Sequence, residues 1–396
     1  VRTVLVQSNE APSTKRHGSE WEKAVLLLPL IAYQRSSIRR AVLSGIPPVV
    51  AVVFVCVAAN VVATAAPQRG QYGAGCGLSS CKVTLVKVAQ LSGAPVSALS
   101  GPSPSIVRAP DGGFLVFGED RSHLLVFDAS GSYRKSLGLP PDARLSALIS
   151  ANGSVLAYDV RNRVLRRVLA DGTLDAGVPV PAEPESILPS GRVVITRNVP
   201  TSELIGHPFV VLSRSGEVVQ RFGAEVPFYR ADMRLAIERV LAPVNDNEWY
   251  AMPRGRYVVE RWNRLRERLE ESYTIKSDWF RGSDAPSGSL ATRPASVVQA
   301  AWFRDGVLWS LTRDADLSWR ASADGEQAWS RRLAGATYDW VLEAIDPRSG
   351  SAIASARFDL PIWGRSQGEL LLYDETLSGD GSAMSVWRFS LNGRSK

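Results

Sequence analysis

Between residues 83 and 396, short apolar runs alternate with turn dipeptides at a steady interval. Asp111-Gly-Gly-Phe-Leu-Val-Phe-Gly118 is a turn followed by an apolar run, then polar Glu119-Asp-Arg-Ser122. A second run, His123-Leu-Leu-Val-Phe-Asp128, ends in the tight turn Ala129-Ser-Gly131, and Ser132–Gly138 reads as a third. With Ser105–Ala109 in front, this makes four short strands joined by Gly, Asp, Asn and Ser turns. That unit is the signature of a propeller blade.

The unit recurs. Asn152-Gly-Ser-Val-Leu-Ala-Tyr-Asp159 repeats Asp111–Gly118 at an offset of 41 residues. A third copy runs from Ser190-Gly-Arg-Val-Val-Ile-Thr196 through Phe209–Gly216 to Glu217–Gly223. The fourth contains Asp246–Met252 and Tyr257–Trp262. The fifth is split by a long insertion between Asp305–Leu311 and Asp339–Asp346. The sixth comprises Gly368–Asp374, Ser385–Ser390 and Asn392-Gly393. Fixed-period self-similarity of this kind marks a repeat architecture.

The sixth copy supplies three strands, whereas Val83–Ser92 is a strand with no blade of its own. The sequence therefore predicts an all-β, six-bladed β-propeller of four-stranded antiparallel blades. The N-terminal strand completes the last blade and covers two sheet edges. Asn263–Ser272 has helix-like composition with i,i+4 charge pairs, but the repeat register predicts a strand there.

The apolar run after Asp-Gly, and the second run ending in Phe-Asp-x-Ser-Gly, resemble the NHL-repeat-like six-bladed propellers of bacterial exported proteins. The resemblance covers residues 83–396. It implies a fold that serves binding modules for peptides, proteins or sugars, with some lactonases and lyases among its relatives. It implies no particular catalytic residue.

Residues 1–34 lack clear periodicity and are set aside. Residues 35–65 read as a signal peptide: Arg35, Arg39 and Arg40 precede an apolar Ala41–Val62, and Ala63-Thr-Ala65 offers a cleavage site. An uncleaved membrane anchor is the alternative. Either reading places the folded part in the periplasm or outside the cell. Residues 66–82 form a Gly/Ser-rich linker that carries Cys76 and Cys81, which are expected to pair as a disulfide in an oxidising compartment.

Composition is ordinary for a globular chain of 396 residues, with 45% hydrophobic and 21% charged. The net charge of +7 is concentrated before residue 66. There Arg2, Lys15, Arg16, Lys23, Arg35, Arg39 and Arg40 face only Glu10, Glu20 and Glu22. The propeller lacks the clustered basic face of a nucleic-acid binder. No phosphate-binding glycine loop or Gly-x-Ser-x-Gly nucleophile turn occurs.

Antiparallel succession puts the b–c and d–a connections on one face of the disc, where a to d number the strands from the axis outward. The insertions collect there: Arg197–His207, Arg313–Tyr338, Glu375–Ala383, Ala224–Arg234 and Lys276–Ala295. Insertions confined to one face of a repeat array mark a binding face. Arg121, Arg161, Arg313, Asp314, Asp316, Trp319 and Trp329 are the candidate ligand contacts, because arginine and tryptophan anchor interfaces. Trp249, Trp262, Trp309 and Trp387 read instead as packing between blades.

The favoured function is an extracytoplasmic binding or scaffolding module for a protein, peptide or polysaccharide. It is expected to act as a monomer, without a cofactor, and to meet a membrane only through an uncleaved leader. The alternative is a lactonase-like hydrolase or lyase, with a divalent cation such as calcium held by carboxylates on the axis.

Overall fold

The computed structural model describes residues 81–94, 106–118, 121–196, 207–223, 234–284, 292–320, 337–366, 368–378 and 381–392. The leader, Cys76 and Trp329 lie outside the described residues. Among those residues, no helix is long and apolar enough to cross a membrane.

Six four-stranded antiparallel sheets form a six-bladed β-propeller. The chain enters through β1 (Lys82–Leu91), which belongs to the last blade. Blade 1 then comprises β2 (Ile106–Arg108), β3 (Phe114–Phe117), β4 (His123–Phe127) and β5 (Tyr133–Gly138). Blade 2 comprises β6 (Leu145–Ala151), β7 (Ser154–Asp159), β8 (Val164–Val168) and β9 (Val178–Pro179). Blade 3 comprises β10 (Ser186–Ile187), β11 (Val193–Ile195), β12 (Phe209–Leu212) and β13 (Val218–Phe222).

A single helical turn, α1 (Arg234–Ile237), leads into blade 4, made of β14 (Arg239–Pro243), β15 (Glu248–Pro253), β16 (Val258–Asn263) and β17 (Arg268–Thr274). The helix-like stretch at 263–272 is thus a turn and an outer strand, as the register predicts. Long charged side chains on β17 suit a strand whose positions are mostly exposed. Blade 5 comprises β18 (Val297–Arg304), β19 (Val307–Ala315), β20 (Tyr338–Ile345) and β21 (Ala352–Phe358). Blade 6 comprises β22 (Ile362–Gly364), β23 (Leu371–Ser378) and β24 (Gly381–Asn392), and β1 completes it.

The closing strand pairs with β24 from Lys82↔Asn392 to Leu91↔Met384. Its end is also latched to blade 1. Ser92 N–H donates to the Gly131 carbonyl and Tyr133 N–H to the Ser92 carbonyl, each at 3.0 Å. Apolar side chains of adjacent blades form a cluster at every seam. Val107, Leu115 and Phe117 of blade 1 meet Leu145, Leu148 and Val155 of blade 2. At the closing seam, Leu91, Leu371 and Met384 meet Ile106, Phe114 and Phe127. Trp249 and Trp262 pack with Phe209 and Phe222 between blades 3 and 4, and Trp309 packs edge-on against Phe389 between blades 5 and 6. Trp387 is half-buried, and its indole donates to Asp374 at 2.8 Å.

Turn chemistry sets the strand ends. The Asp128 carboxylate accepts from the backbone N–H of Ser130 and of Ser132, at 2.9 and 3.0 Å. Hydrogen bonds from the Ser130 hydroxyl and from the Ser132 backbone, with Arg134 nearby, lower its pKa to about 2 despite desolvation. The Gly131 that follows has φ 92°. A Cβ there would overlap the Gln90 carbonyl of the closing strand. Gly153 has φ 68° but open space around it.

Gly131→Ala is therefore expected to destabilise the fold by more than the roughly 1 kcal/mol that left-handed backbone strain alone costs a non-glycine residue. Gly153→Ala should cost only that strain. Urea unfolding of both variants checks the latch, and equal losses would overturn it.

Candidate functional site

The face of the disc that carries the b–c and d–a connections is the one with uneven loops. The b–c connection of blade 2 spans 160–163, whereas that of blade 5 spans 316–337. Parts of the long connections, at 197–206, 224–233, 285–291 and 321–336, lie outside the described residues. One expected loop is not a loop. In blade 6, β23 and β24 continue toward each other until Ser378 pairs with Gly381. The predicted insertion at Glu375–Ala383 is a lengthened hairpin, because Thr376 pairs with Ala383 and Leu377 with Ser382.

The predicted contact residues fall into separate places. Arg121 follows β3 with φ 56°, its N–H bonded to the Gly118 carbonyl. Arg161 is exposed in the tight turn after β7, where its N–H donates to Asp159 at 3.2 Å. The other described candidates stand on blade 5. Arg313 and Asp314 lie within β19 and not after it, since that strand stays paired with β20 as far as Ala315↔Tyr338. Arg313 stacks over the Tyr338 ring at 4.4 Å. Asp316 caps the following turn through Ser318, and Trp319 N–H donates to the Asp316 carbonyl at 3.1 Å.

Asp314 is a structural group. Its side chain is 1% exposed, with Arg357 at 2.7 Å and the Ser296 hydroxyl at 2.7 Å. The same guanidinium reaches Asp339 at 2.6 Å. One arginine thus neutralises two buried carboxylates, and removing it would leave both without their cation. Arg357→Leu is expected to cost about 3–5 kcal/mol, measured by urea unfolding. A loss under about 1 kcal/mol would show that the pairs contribute nothing.

Nearer the axis, a charged group absent from the sequence-based candidates joins the blades. Arg254 follows β15 and reaches Glu185 at 3.1 Å and Glu238 at 3.5 Å. It also donates to the Val298 and Gln299 carbonyls at the start of blade 5. Glu183 accepts from the Ser146 hydroxyl at 3.1 Å and from Arg365, of blade 6, at 3.4 Å. The sequence holds one trace of this arrangement. Pro184 keeps Glu183-Pro-Glu185 extended, so the two carboxylates alternate in phase. Among the described residues, no three His, Cys, Asp or Glu side chains are grouped to hold a metal ion.

A second buried group lies between blades 4 and 5. The Tyr257 hydroxyl donates to Glu343 and lies 3.0 Å from the Ser310 hydroxyl. Phe280, from the 275–296 connection, stacks on Tyr257 at 4.7 Å and Trp279 meets it edge-on. Burial raises the Glu343 pKa above its ordinary 4.5, against hydrogen bonds from Tyr257, Ser355 and Trp279 that lower it. The folded chain therefore holds a proton that the unfolded chain releases. That contribution is complete below the unfolded value and is lost as pH rises through the folded one. Glu343→Gln needs no such proton. It is expected to raise the melting temperature, by an increment that grows between pH 4 and pH 8. An increment independent of pH would exclude the buried acid as its source.

No protein-family model and no curated protein matches the sequence. Solved structures do match. A DUF4221 family member from Bacteroides vulgatus aligns over 79% of this chain and 99% of its own, with a TM-score of 0.51 and 11% identity. The likeness is one of fold. A Bacteroides fragilis protein whose name calls it exported aligns over 80% of this chain and 97% of its own, with a TM-score of 0.49 and 11% identity. A virginiamycin B lyase from Staphylococcus aureus covers 78% of this chain and 99% of its own, with a TM-score of 0.41 and 12% identity. The part of the NHL-repeat resemblance that the structure bears out is the six-bladed architecture.

Proposed function

We propose that this chain is an extracytoplasmic binding or scaffolding module that takes a peptide, protein or polysaccharide on the face carrying its b–c and d–a connections. The observation that supports this most is that the long connections 275–296 and 316–337 open on that face. The opposite face repeats short turns, such as 152–153 and 305–306. Interconnected charges at the axial end of the variable face, centred on Arg254 and Glu183, provide a polar floor of the kind that orients a ligand. Export rests on the leader at residues 35–65 and on the expected pairing of Cys76 with Cys81. The lactonase-like alternative needs carboxylates converging on the axis, and no observation favours it.

Peptide and glycan arrays probed with the purified protein test the reading. Ligands found this way should lose affinity about tenfold, the scale of a lost interface anchor, when Trp319→Ala or Arg161→Ala is introduced. Chelator should leave the melting temperature unchanged. Array ligands insensitive to both substitutions would place recognition elsewhere. A chelator-induced drop would reinstate the metal-dependent alternative.

A further inference from the structure

A depression of about 550 Å³ lies on the other face, at the a–b turns around the axis. Its size falls within the range of small-ligand sites. Blades 1, 2, 5 and 6 all line it. Arg108 ends β2, Arg304 ends β18 and Arg365 follows β22, so three guanidiniums from three blades share one concavity. The only acidic lining residue is Glu369, which pairs with Arg108 at 2.7 Å. Arg365 is held by Glu183. Arg304 is exposed and takes no hydrogen bond or ion pair among the described residues.

A second polar group points to a ligand. Tyr373 also lines the depression; its ring is buried, and its hydroxyl, which is not among the atoms shut off from solvent, has no hydrogen-bond partner among the described residues. Burial and nearby Glu369 raise its pKa, so the hydroxyl stays protonated as a donor. Beside these donors run the apolar Ala109 and Pro110, which are at least partly exposed. The rim at Gly153 is open: a Cβ built there would meet nothing within 4 Å.

We propose that this depression is a second binding site that receives the free C-terminus of a peptide whose last side chain is apolar. The carboxylate takes the planar fork of Arg304 and the Tyr373 hydroxyl. The apolar side chain rests on Ala109 and Pro110. Glu369 is an acceptor for the peptide's last N–H, and its charge disfavours polyanions. The proposal does not depend on the loop-face reading, because it uses other residues on the opposite face.

Calorimetric titration with N-acetyl-alanyl-leucine, as free acid and as C-terminal amide, tests it on the full chain. The free acid should bind saturably and the amide at least about tenfold more weakly. Arg304→Gln and Tyr373→Phe should each weaken the free acid by about tenfold. Arg304 is exposed, so its variant should keep the wild-type melting curve. Equal binding of acid and amide would overturn the proposal, as would insensitivity to both substitutions. No binding up to about 10 mM dipeptide, a free energy too small for a built site, would also overturn it. Displacement by phosphate or acetate at equal concentration would reduce the site to a general anion pocket and remove the peptide assignment.

Discussion

The ring depends on one repeated contact: the c–d turn of each of blades 1 to 5 presses onto the outer strand of the blade before it. At Gly131 the neighbour is the Gln90 backbone, at Gly172 it is Leu137, at Gly216 the Pro179 carbonyl and at Gly350 the Tyr273 side chain. In each case a side chain at the glycine would intrude on the preceding blade. Blade 4 solves the same problem differently. Its turn holds Arg264, whose guanidinium bonds Gln220 of β13 at 2.6 Å while Gln220 returns a bond to the Arg264 carbonyl at 3.3 Å. Backbone proximity is replaced there by a reciprocal side-chain clasp. Since the outer strand before blade 1 is β1, the same contact that stacks ordinary neighbours also closes the ring.

This constraint accounts for the asymmetry between the two faces. Where such a turn carries a glycine against the preceding blade, that glycine is required by space as well as by φ. The long connections 275–296 and 316–337 lie on the other face. The polar groups follow the same logic. Wholly or partly buried ions are partnered, across blade boundaries for Arg254 with Glu185 and Arg365 with Glu183, and within blade 4 for Arg239 with Glu260 at 2.8 Å. A charge buried between packed sheets survives only with such partners.

The parts of the structure legible in the sequence are those written in local chemistry. Asp-Gly and Asn-Gly turns, apolar runs and the spare strand at Val83 suffice for blade number and closure. Register overrides composition at Arg268–Thr274 because the outer strand of a blade is solvated on one side, where charged side chains are at no disadvantage. Two features escaped. The length of β23 and β24 was hidden because Thr376, Ser378 and Ser382 read as loop residues, though they continue a ladder. Glu183, Glu185 and Glu238 were missed because they precede first strands, where the repeat has no fixed register. Their partners lie up to 182 residues away in sequence, beyond the reach of any periodic pattern.

The axis is where these two kinds of information meet. Arg365 faces both ways: it lines the depression at the a–b turns and is anchored by Glu183, which stands at the start of blade 3 beside Ser146. An Arg–carboxylate pair reaching from blade 6 to the start of blade 3 fixes one wall of that depression from across the ring. The orientation of the guanidinium is thus set before any ligand arrives, which is how a site avoids losing side-chain entropy on binding. Among the described residues Arg304 has no such anchor. A fixed arginine beside an unpartnered one divides shape from affinity, and the propeller provides that division because its innermost strands bring residues from distant repeats to a common centre.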